Sequence, residues 1–197
     1  MKQLIETLRL EKIVGGGQAL GQIADGRKAF VWGGLPGELV KIRLTKRKSH
    51  FVEGVVTEVI EPSPERITPR DPDSYLNTSP WQIMPPDAEQ QYKTQLISDA
   101  FLLHDVALPS AIDVYCDNVA YGYRNKVEFS WYSDTDATTD ADTLDLAFFR
   151  RGSKGKVVVD GTSLARPEIN GLARAVRDLL HRKSVSRSPA QNLAHPL

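Results

Sequence analysis

The chain has 197 residues, of which 41% are hydrophobic, with 25 lysines and arginines balanced by 25 aspartates and glutamates. This length suits one domain or two small ones, and the composition is ordinary for a soluble globular protein. The sequence has no apolar run of the roughly 18–20 residues that a membrane span needs, and its N-terminus has no apolar signal-peptide core. The single cysteine, Cys116, excludes an internal disulfide and a cysteine-based metal cluster within one chain. We therefore expect a cytoplasmic protein.

The zero net charge hides a strong segregation along the chain. Residues 1–70 carry a formal charge of +4, residues 71–149 carry −11, and residues 150–197 carry +7. Such asymmetry between regions points to an anionic partner for the basic parts. The near-neutral total is thus no argument against nucleic-acid binding.

The first sixty residues read as short strands separated by glycine turns, with no helical period. The predicted strands are Thr7–Lys12, Gln22–Ala24, Arg27–Trp32, Glu38–Lys46 and Phe51–Ile60. Five short strands in this length predict a small barrel of the OB type, a common oligonucleotide-binding fold. The glycines at 15–21 lack the Gly-Lys-Ser/Thr ending and the following helix of a phosphate loop, so a barrel bend or bulge is favoured.

The strand at 38–46 alternates between apolar residues on one face and Lys41, Arg43 and Thr45 on the other. It continues into Lys46, Arg47 and Lys48, and the next strand begins at His50 and Phe51. We call Lys41, Arg43, Lys46, Arg47 and Lys48 the cationic strip. A strip of cations beside an aromatic ring suits a phosphate backbone with unstacked bases. The alternative is a solvated strand face whose lysines protect a sheet edge.

After residue 62 the composition changes. Residues 63–86 are predicted as a proline-rich linker, pinned to a neighbouring surface by Tyr75 and Trp81. Residues 87–185 are predicted as a small α+β domain, and 186–197 as a flexible tail. The expected fold class is therefore mainly β plus α+β, with an N-terminal five-stranded OB-type barrel followed by this smaller domain.

Within 87–185 the pattern predicts two helices and four strands. The first helix runs from Asp87 to about Asp105, with Tyr92, Leu96, Ala100 and Leu103 as its core-facing stripe. The predicted strands are Ala111–Cys116, Tyr123–Ser133, Leu144–Arg151 and Val157–Val159. The second helix is Pro167–Arg182, with Ile169, Leu172, Val176 and Leu179 on one face.

No arrangement in the sequence supports catalytic or metal-binding residues. The acids between Asp134 and Asp145 fit a calcium-loop template in spacing, but the sixth position is Thr139 instead of glycine and the predicted flanks are strands. A solvated loop is the favoured interpretation. Cys116 lies in an alternating segment, where a buried inert thiol is expected. The four histidines show no metal-ligand spacing.

Two further clusters combine aromatic and basic side chains, at 121–126 and 148–156. They supply the remaining candidate RNA contacts, which are Tyr123, Arg124, Asn125, Lys126, Phe149, Arg150 and Arg151. Cations hold phosphates and rings stack on unpaired bases, so these residues, the cationic strip and its neighbours His50 and Phe51 are predicted to contact RNA through one anion-binding surface. The alternative is that each cation pairs with the acidic residues of 71–149.

Several ordered motifs resemble a known family. Glu11-Lys-Ile-Val-Gly-Gly-Gly-Gln-Ala-Leu-Gly21, Leu35-Pro-Gly-Glu-Leu-Val40 and Glu58-Val-Ile-Glu-Pro-Ser-Pro64 resemble the TRAM domain at the N-terminus of bacterial RNA (uracil-5-)-methyltransferases. Gly122-Tyr-Arg-Asn-Lys126, Ala147-Phe-Phe-Arg-Arg-Gly-Ser153 and Val159-Asp-Gly-Thr-Ser-Leu164 resemble the central domain of that family. The motifs extend over most of the chain.

The resemblance implies an RNA-binding portion of an enzyme that methylates C5 of a uridine in rRNA or tRNA. In that family S-adenosylmethionine and the catalytic cysteine belong to a C-terminal Rossmann-like domain, whose motifs this sequence lacks. We therefore expect RNA as partner and no cofactor in this chain, with S-adenosylmethionine required by a longer parent enzyme. The central α+β domain is expected to be incomplete at its C-terminal end. The alternatives are a stand-alone TRAM/OB RNA-binding module without enzymatic activity and a protein-interaction domain. The sequence leaves the oligomeric state open, and a monomer is expected.

The resemblance also shows a departure. Many relatives carry a four-cysteine iron–sulfur site, and the matching positions here are Pro72, Thr78, Trp81 and Thr162. None of these side chains binds iron, so we expect a cluster-free branch of the family. Trp81 is predicted to fill the space by packing.

Overall fold

The computed structural model describes residues 4–108, 110–135 and 142–185. The chain forms two compact units. The first comprises Met1–Val119 together with Arg151–Ser153, and the second comprises Ala120–Arg150 and Lys154–Leu197. Among the helices of the described residues, none is both long and apolar enough to cross a membrane. The domain boundaries predicted at residues 62, 86 and 185 stay predictions.

The first unit contains a closed five-stranded barrel. Its strands are β1 (Ile5–Val14), β2 (Gln18–Gln22), β3 (Lys28–Trp32), β4 (Leu39–Arg47) and β5 (Phe51–Glu61). They follow the order β1-β2-β3-β5-β4, and β4 pairs back onto β1. The β3–β5 pair is parallel and the other pairs are antiparallel. This is the OB-type barrel that the sequence predicts, and the fold class is confirmed.

The barrel core follows from the two-residue period of its strands. Every second residue points inward, and the inward residues are almost all apolar. Val31, Val40, Ile42 and Val52 have no exposed surface at all. Burying such side chains contributes roughly 1.5–3 kcal/mol each, so the barrel is held by a continuous apolar interior.

The predicted second strand was misplaced. The structure puts β2 at Gln18–Gln22, inside the glycine-rich stretch, because Gly15–Gly17 forms a single tight turn that joins β1 to β2. The glycines thus serve a barrel bend, as predicted. Asp25-Gly26 forms the β2–β3 hairpin turn, with Gly26 at φ +88°.

The proline-rich segment packs against the barrel. It forms a short helix α1 (Tyr75–Thr78) and a single 3₁₀ turn at Pro80–Ile83, and it buries Ile83 and Met84. Tyr75 and Trp81 pack on the adjoining core, as the sequence predicts. Gly17 lies against Pro80 and Trp81: its φ is +87°, and an added Cβ would come within 3.2 Å of the Trp81 ring. A side chain at position 17 therefore conflicts with this packing.

The first long helix, α2, spans Pro86–Leu103, close to its predicted range. Tyr92 and Leu96 pack on the barrel core as expected. The second half of the predicted stripe is wrong, because Leu103 is 80% exposed and Ala100 is also exposed. The helix extends past the barrel surface there.

The predicted strand Ala111–Cys116 is wrong. Its residues largely alternate in exposure but pair with no strand in the described ranges, and the Val114 carbonyl instead accepts a hydrogen bond of 2.6 Å from the Gln90 side chain. Cys116 is exposed, which corrects the expectation of a buried thiol. Periodicity predicts the alternation but cannot supply the pairing partner.

The second unit contains a three-stranded antiparallel sheet and a helix. The strands are β6 (Ser130–Thr135), β7 (Asp142–Phe149) and β8 (Lys156–Val158), in that order. The strand predicted from Tyr123 begins only at Ser130. The preceding backbone instead bonds to an irregular segment, with the Arg124 N–H donating to the Leu164 carbonyl at 2.9 Å.

The last helix, α3 (Pro167–Val185), lies where it was predicted but with another face inward. Leu172 is 68% exposed, and Val176 and Leu179 are exposed as well. The helix is also tied by polar contacts: Asn170 exchanges hydrogen bonds with the Thr162 backbone, and Arg177 pairs with Asp160 at 2.8 Å. Three of the four residues in the predicted core stripe are therefore exposed, and only Ile169 is partly buried.

Two predictions fall largely outside the described residues. The acidic loop offered as a calcium template includes residues 136–141, and the predicted tail is 186–197.

Candidate RNA interface

The cationic strip lies on the outside of the barrel, because β4 alternates as predicted. Val40 and Ile42 are buried, while Lys41 and Arg43 are partly exposed on the other face. The alternative of an edge strand is wrong for Leu39–Arg43, since these residues pair with β1 on one side and β5 on the other. The lysines therefore do not serve to protect an open edge there.

The strip divides into paired and unpaired cations. Lys41 forms an ion pair with Glu58 at 2.8 Å, and Lys46 forms one with Glu53 at 2.7 Å. Within the described parts of the chain, Arg43, Arg47 and Lys48 have no carboxylate within 4.0 Å. These three lie on an exposed or half-exposed surface without an ion pair at contact distance, although the Arg47 charge acts at longer range on Asp25 and contributes, after the hydrogen bonds from Arg27, to the lowered pKa of that carboxyl.

Aromatic rings lie beside the strip. Phe51, a predicted contact, meets the Phe30 ring edge to face, with centroids 5.7 Å apart, and the Lys46 ammonium lies 5.5 Å from the Phe51 centroid. His50 is exposed in the turn between β4 and β5. Sequence reasoning missed Phe30. Its signal is the alternation of β3, where Lys28, Phe30 and Trp32 share the outward face.

Sequence reasoning also missed the cation Arg27, which contacts the turn at this end of the barrel. The Arg27 guanidinium donates to the Lys48 carbonyl at 2.9 Å and pairs with Asp25 at 2.6 Å. The hydrogen bonds from Arg27 lower the pKa of Asp25 below its ordinary value. Arg27 thus holds the β4–β5 turn in place beside the cations of the strip.

Arg151, another predicted RNA contact, is occupied by protein groups. Its guanidinium lies 4.1 Å from the Trp32 ring centroid, and its Nε donates to the Leu76 carbonyl at 2.6 Å. Its backbone N–H donates to the Asn77 side chain. Burial lowers its pKa from the ordinary arginine value. An RNA-contact role for Arg151 stays a prediction, and the contacts observed are those of a structural residue.

The candidates at 123–126 belong to the second unit. Tyr123, Asn125 and Lys126 are exposed, and the Arg124 guanidinium lies 5.9 Å from the Tyr123 ring centroid. Lys126 pairs with Glu128 at 2.7 Å, and this contact lowers the pKa of Glu128. For Lys126 the alternative of pairing with the acidic region therefore holds.

Phe149 and Arg150 lie at the end of β7. The Phe149 ring is 68% exposed, with the Lys156 ammonium 5.1 Å from its centroid. That ammonium also donates to the Trp131 carbonyl at 2.6 Å. Arg150 is exposed, and its N–H closes the β7–β8 turn on the Gly155 carbonyl. The predicted sites therefore fall in two units, and their union into one continuous surface stays a prediction.

Other chemistry finds no site in the described residues. They contain no group of three or more His, Cys, Asp or Glu side chains arranged to hold a metal ion. The glycine turn at 15–17 joins two strands with no helix after it, so it does not fit a cofactor loop, and we assign no residue to S-adenosylmethionine.

The positions matching the relatives' cysteines are occupied by ordinary structural contacts. Thr78 accepts a hydrogen bond from the buried Gln82 amide, and the Thr162 hydroxyl accepts one from the Leu164 N–H. Trp81 packs on both apolar clusters of the first unit, with the Lys93 ammonium 5.5 Å from its ring centroid. The packing predicted for Trp81 is what the structure shows.

The chain is similar to curated RNA methyltransferases. An uncharacterized RNA methyltransferase of Thermotoga maritima is 29% identical over 129 residues, which are 64% of this chain and 29% of that protein. A 23S rRNA (uracil(1939)-C(5))-methyltransferase of Erwinia tasmaniensis is 26% identical over 161 residues, which are 79% of this chain and 35% of that protein. The chain spans about a third of the length of these relatives. No protein-family model matches it.

A solved structure shares the fold. The Pyrococcus abyssi tRNA (uracil-54, C5)-methyltransferase, crystallised with S-adenosyl-L-homocysteine, superposes with a TM-score of 0.56 at 13% identity, over 90% of this chain and 37% of that one. The barrel order and the shared fold fit a TRAM/OB domain. The resemblance inferred from the motifs is thus confirmed: this chain is a relative, over about a third of their length, of the RNA (uracil-5-)-methyltransferases.

Proposed function

We propose that this chain is the RNA-binding portion of an S-adenosylmethionine-dependent RNA (uracil-5-)-methyltransferase that acts on rRNA or tRNA. The observation that carries the proposal is the outer face of the barrel, where Arg43, Arg47 and Lys48 present cations without carboxylate partners among the described residues. The names of the relatives supply the RNA and the reaction class.

The proposed division of labour follows from the chemistry of the side chains. The unpaired cations of the strip bind phosphates, which positions the RNA without reading its sequence. The rings of the barrel and of β7 contact unstacked bases. No described residue receives a catalytic role, and S-adenosylmethionine is placed in another part of the longer enzyme. The cytoplasm is the compartment in which we expect it to act.

The test is fluorescence anisotropy of the full chain with a labelled uridine-containing RNA hairpin, repeated from low to moderate salt. Phosphate contacts release counterions, so affinity falls linearly on a log–log plot, by about 0.7–0.9 in slope for each contact. The variant Arg47→Glu/Lys48→Glu is expected to lose affinity and to flatten the slope by roughly 1.4–1.8 for two lost contacts.

The matched control is Lys12→Glu/Lys93→Glu, which changes the net charge equally on the β1–α2 side of the first unit, where both lysines lie near carboxylates. It is expected to bind almost as the unaltered chain does. An equal loss of RNA affinity in both variants would show that net charge alone, and not the cationic strip, determines binding. Absence of any binding at low salt would overturn the proposal for this chain.

A further inference from the structure

The pairing register of the barrel brings aromatic and basic side chains into rows across three strands. Phe51 on β5 pairs with Lys28 on β3, and the Lys48 N–H donates to the Phe51 carbonyl at 2.9 Å. One row across the surface is therefore Lys28, Phe51, Lys48. The two lysines are exposed and the ring between them is partly exposed.

The adjacent row has a different charge balance. Glu53 on β5 pairs with Phe30 on β3 and with Lys46 on β4. The Lys46–Glu53 ion pair neutralises this row at 2.7 Å. Its contribution is the Phe30 ring, which stands at 89° to Phe51 with centroids 5.7 Å apart.

The surface of available rings ends at the next outward position on β3, which is Trp32. Trp32 continues the alternation after Phe30, but the Arg151 guanidinium lies 4.1 Å from its ring centroid. Arg151 is also tied to the Leu76 carbonyl, so it covers Trp32 more closely than the exposed Lys46 ammonium, 5.5 Å from the Phe51 centroid, covers Phe51. The usable apolar surface is limited to Phe30 and Phe51.

A pair of rings flanked by exposed cations matches one chemical class. A nucleobase stacks on an aromatic face while its phosphates need positive charge, and base–aromatic stacking tolerates every base. A duplex keeps the faces of its bases stacked on each other, so only an unpaired nucleotide presents both groups at once. Lys48 carries no ion pair among the described residues, and Lys28 has only a long one, 3.9 Å from Glu11.

We propose that Phe30 and Phe51, flanked by Lys28 and Lys48, form a stacking site for an unpaired nucleotide of the RNA. The inference rests on the proposed function and deepens it, because it assigns a single-stranded segment to this face of the barrel. It adds Phe30 and Lys28 to the contacts found by sequence reasoning.

The test compares a single-stranded oligouridine with a fully paired duplex of equal length, using the full chain. Phe30→Leu/Phe51→Leu keeps apolar volume but removes both rings. Stacking on one ring is worth about 5-fold to 150-fold in affinity, so a loss in this range is expected for the single strand, with little change for the duplex. Phe30→Tyr/Phe51→Tyr keeps the rings and is expected to restore binding. The control is Tyr115→Leu, since Tyr115 is 90% exposed and belongs to none of the barrel strands.

A direct readout separates stacking from a structural effect. Phe30→Trp places an indole at the site, and a stacked base is expected to quench its additional fluorescence, while Tyr115→Trp is expected to show no RNA-dependent quenching. Thermal melts of each variant verify folding. Equal loss for single strand and duplex, or quenching equal to that of the control, would overturn the stacking site while leaving RNA binding intact. Failure of the unaltered chain to bind either RNA would overturn the proposed function and the site with it.

Discussion

The barrel and the three-stranded sheet both present rings beside cations, but the two surfaces differ in how completely the residues beneath them are buried. In the barrel, strands close on each other around residues with no exposed surface, such as Val40 and Ile42. In the second unit, the sheet buries Leu146 and Ala147, yet Phe149 and Leu172 are each 68% exposed. The barrel therefore holds its outward side chains at fixed spacing by strand pairing, whereas the sheet presents its aromatic ring at the end of a strand.

Clusters of similar sequence therefore differ in which of their cations are already held by neighbouring protein groups. In the barrel, the strand register decides which cation is neutralised and which stays available. At the sheet, Lys156 is held by the Trp131 carbonyl while it lies beside Phe149. We expect the barrel to be the more precise RNA platform of the two.

The largest expected effect is on the attachment of the proline-rich segment to the barrel. The Glu38 carboxylate is completely buried and accepts hydrogen bonds from the Arg66 guanidinium and from the backbone N–H groups of Leu35 and Ser63. Glu38→Ala leaves these donors unpaired, which costs about 3–5 kcal/mol of unfolding free energy. Urea denaturation of the variant and the unaltered chain measures this difference in unfolding free energy. Glu58→Ala, which removes an exposed ion-pair partner, is the control and is expected to cost less than about 1 kcal/mol.

Substitution of two neighbouring phenylalanines on β7 tests which face of the sheet is buried. Phe148 is 8% exposed and stacks on Phe129 with centroids 5.1 Å apart, whereas Phe149 is mostly exposed. Phe148→Ala is expected to destabilise the chain by about 3 kcal/mol, and Phe149→Ala by no more than about 0.5 kcal/mol. Thermal denaturation of the two variants distinguishes them. An equal loss of stability in the two variants would contradict the burial of Phe148 and the exposure of Phe149.

Trp81 stands where the family resemblance places a cysteine, and replacing it tests whether its packing stabilises the chain. Its ring is half-buried between the two apolar clusters, so Trp81→Ala is expected to lower stability by about 2–3 kcal/mol, below the usual range for a fully buried tryptophan. An unchanged melting temperature would sink the packing hypothesis. Gly17→Ala should also destabilise, more than Gly16→Ala, because both have positive φ but only Gly17 touches Pro80 and Trp81.

Smaller effects sharpen the distinction between paired and unpaired cations of the strip. Lys48→Ala is expected to weaken RNA binding about 3- to 5-fold, and Lys46→Ala less than about 2-fold, because Glu53 already offsets the Lys46 charge. Glu53→Gln removes that offset and is expected to tighten binding. Anisotropy titrations at one fixed salt concentration measure all three, and a larger loss from Lys46→Ala would contradict the division.

The smallest effect concerns pH. Burial, together with the Tyr92 hydroxyl donating to Glu65 at 2.7 Å, raises the pKa of Tyr92 to about 12. Since the folded state holds this proton more tightly than the unfolded chain, the contribution to stability is present below about pH 10 and is lost as the pH rises toward 12. Tyr92→Phe is expected to make stability fall less steeply in that window. Identical pH profiles would show that the contact has no energetic consequence.

Much of the architecture could be predicted because strands carry their own signal. The alternation in β4 identifies its buried and cationic faces without any knowledge of the neighbours, and the glycine turns limit the strand lengths. The same reasoning failed for Ala111–Cys116, where alternation is present but no strand pairs with it. It also failed for most of the α3 stripe, because Leu172, Val176 and Leu179 are exposed while polar Asn170 is the residue that bonds to the Thr162 backbone.

The sequence by itself determined the period of each strand, the segregation of charge and the resemblance to a family. Tertiary structure alone decided which side chains became neighbours: Glu53 beside Lys46, Phe30 beside Phe51, and Arg151 over Trp32. The physical reason is that periodicity is a local property, fixed by backbone geometry within a few residues. Pairing across strands depends on the closure of the whole barrel, in which residues far apart in the chain are brought into register by the burial of the core between them.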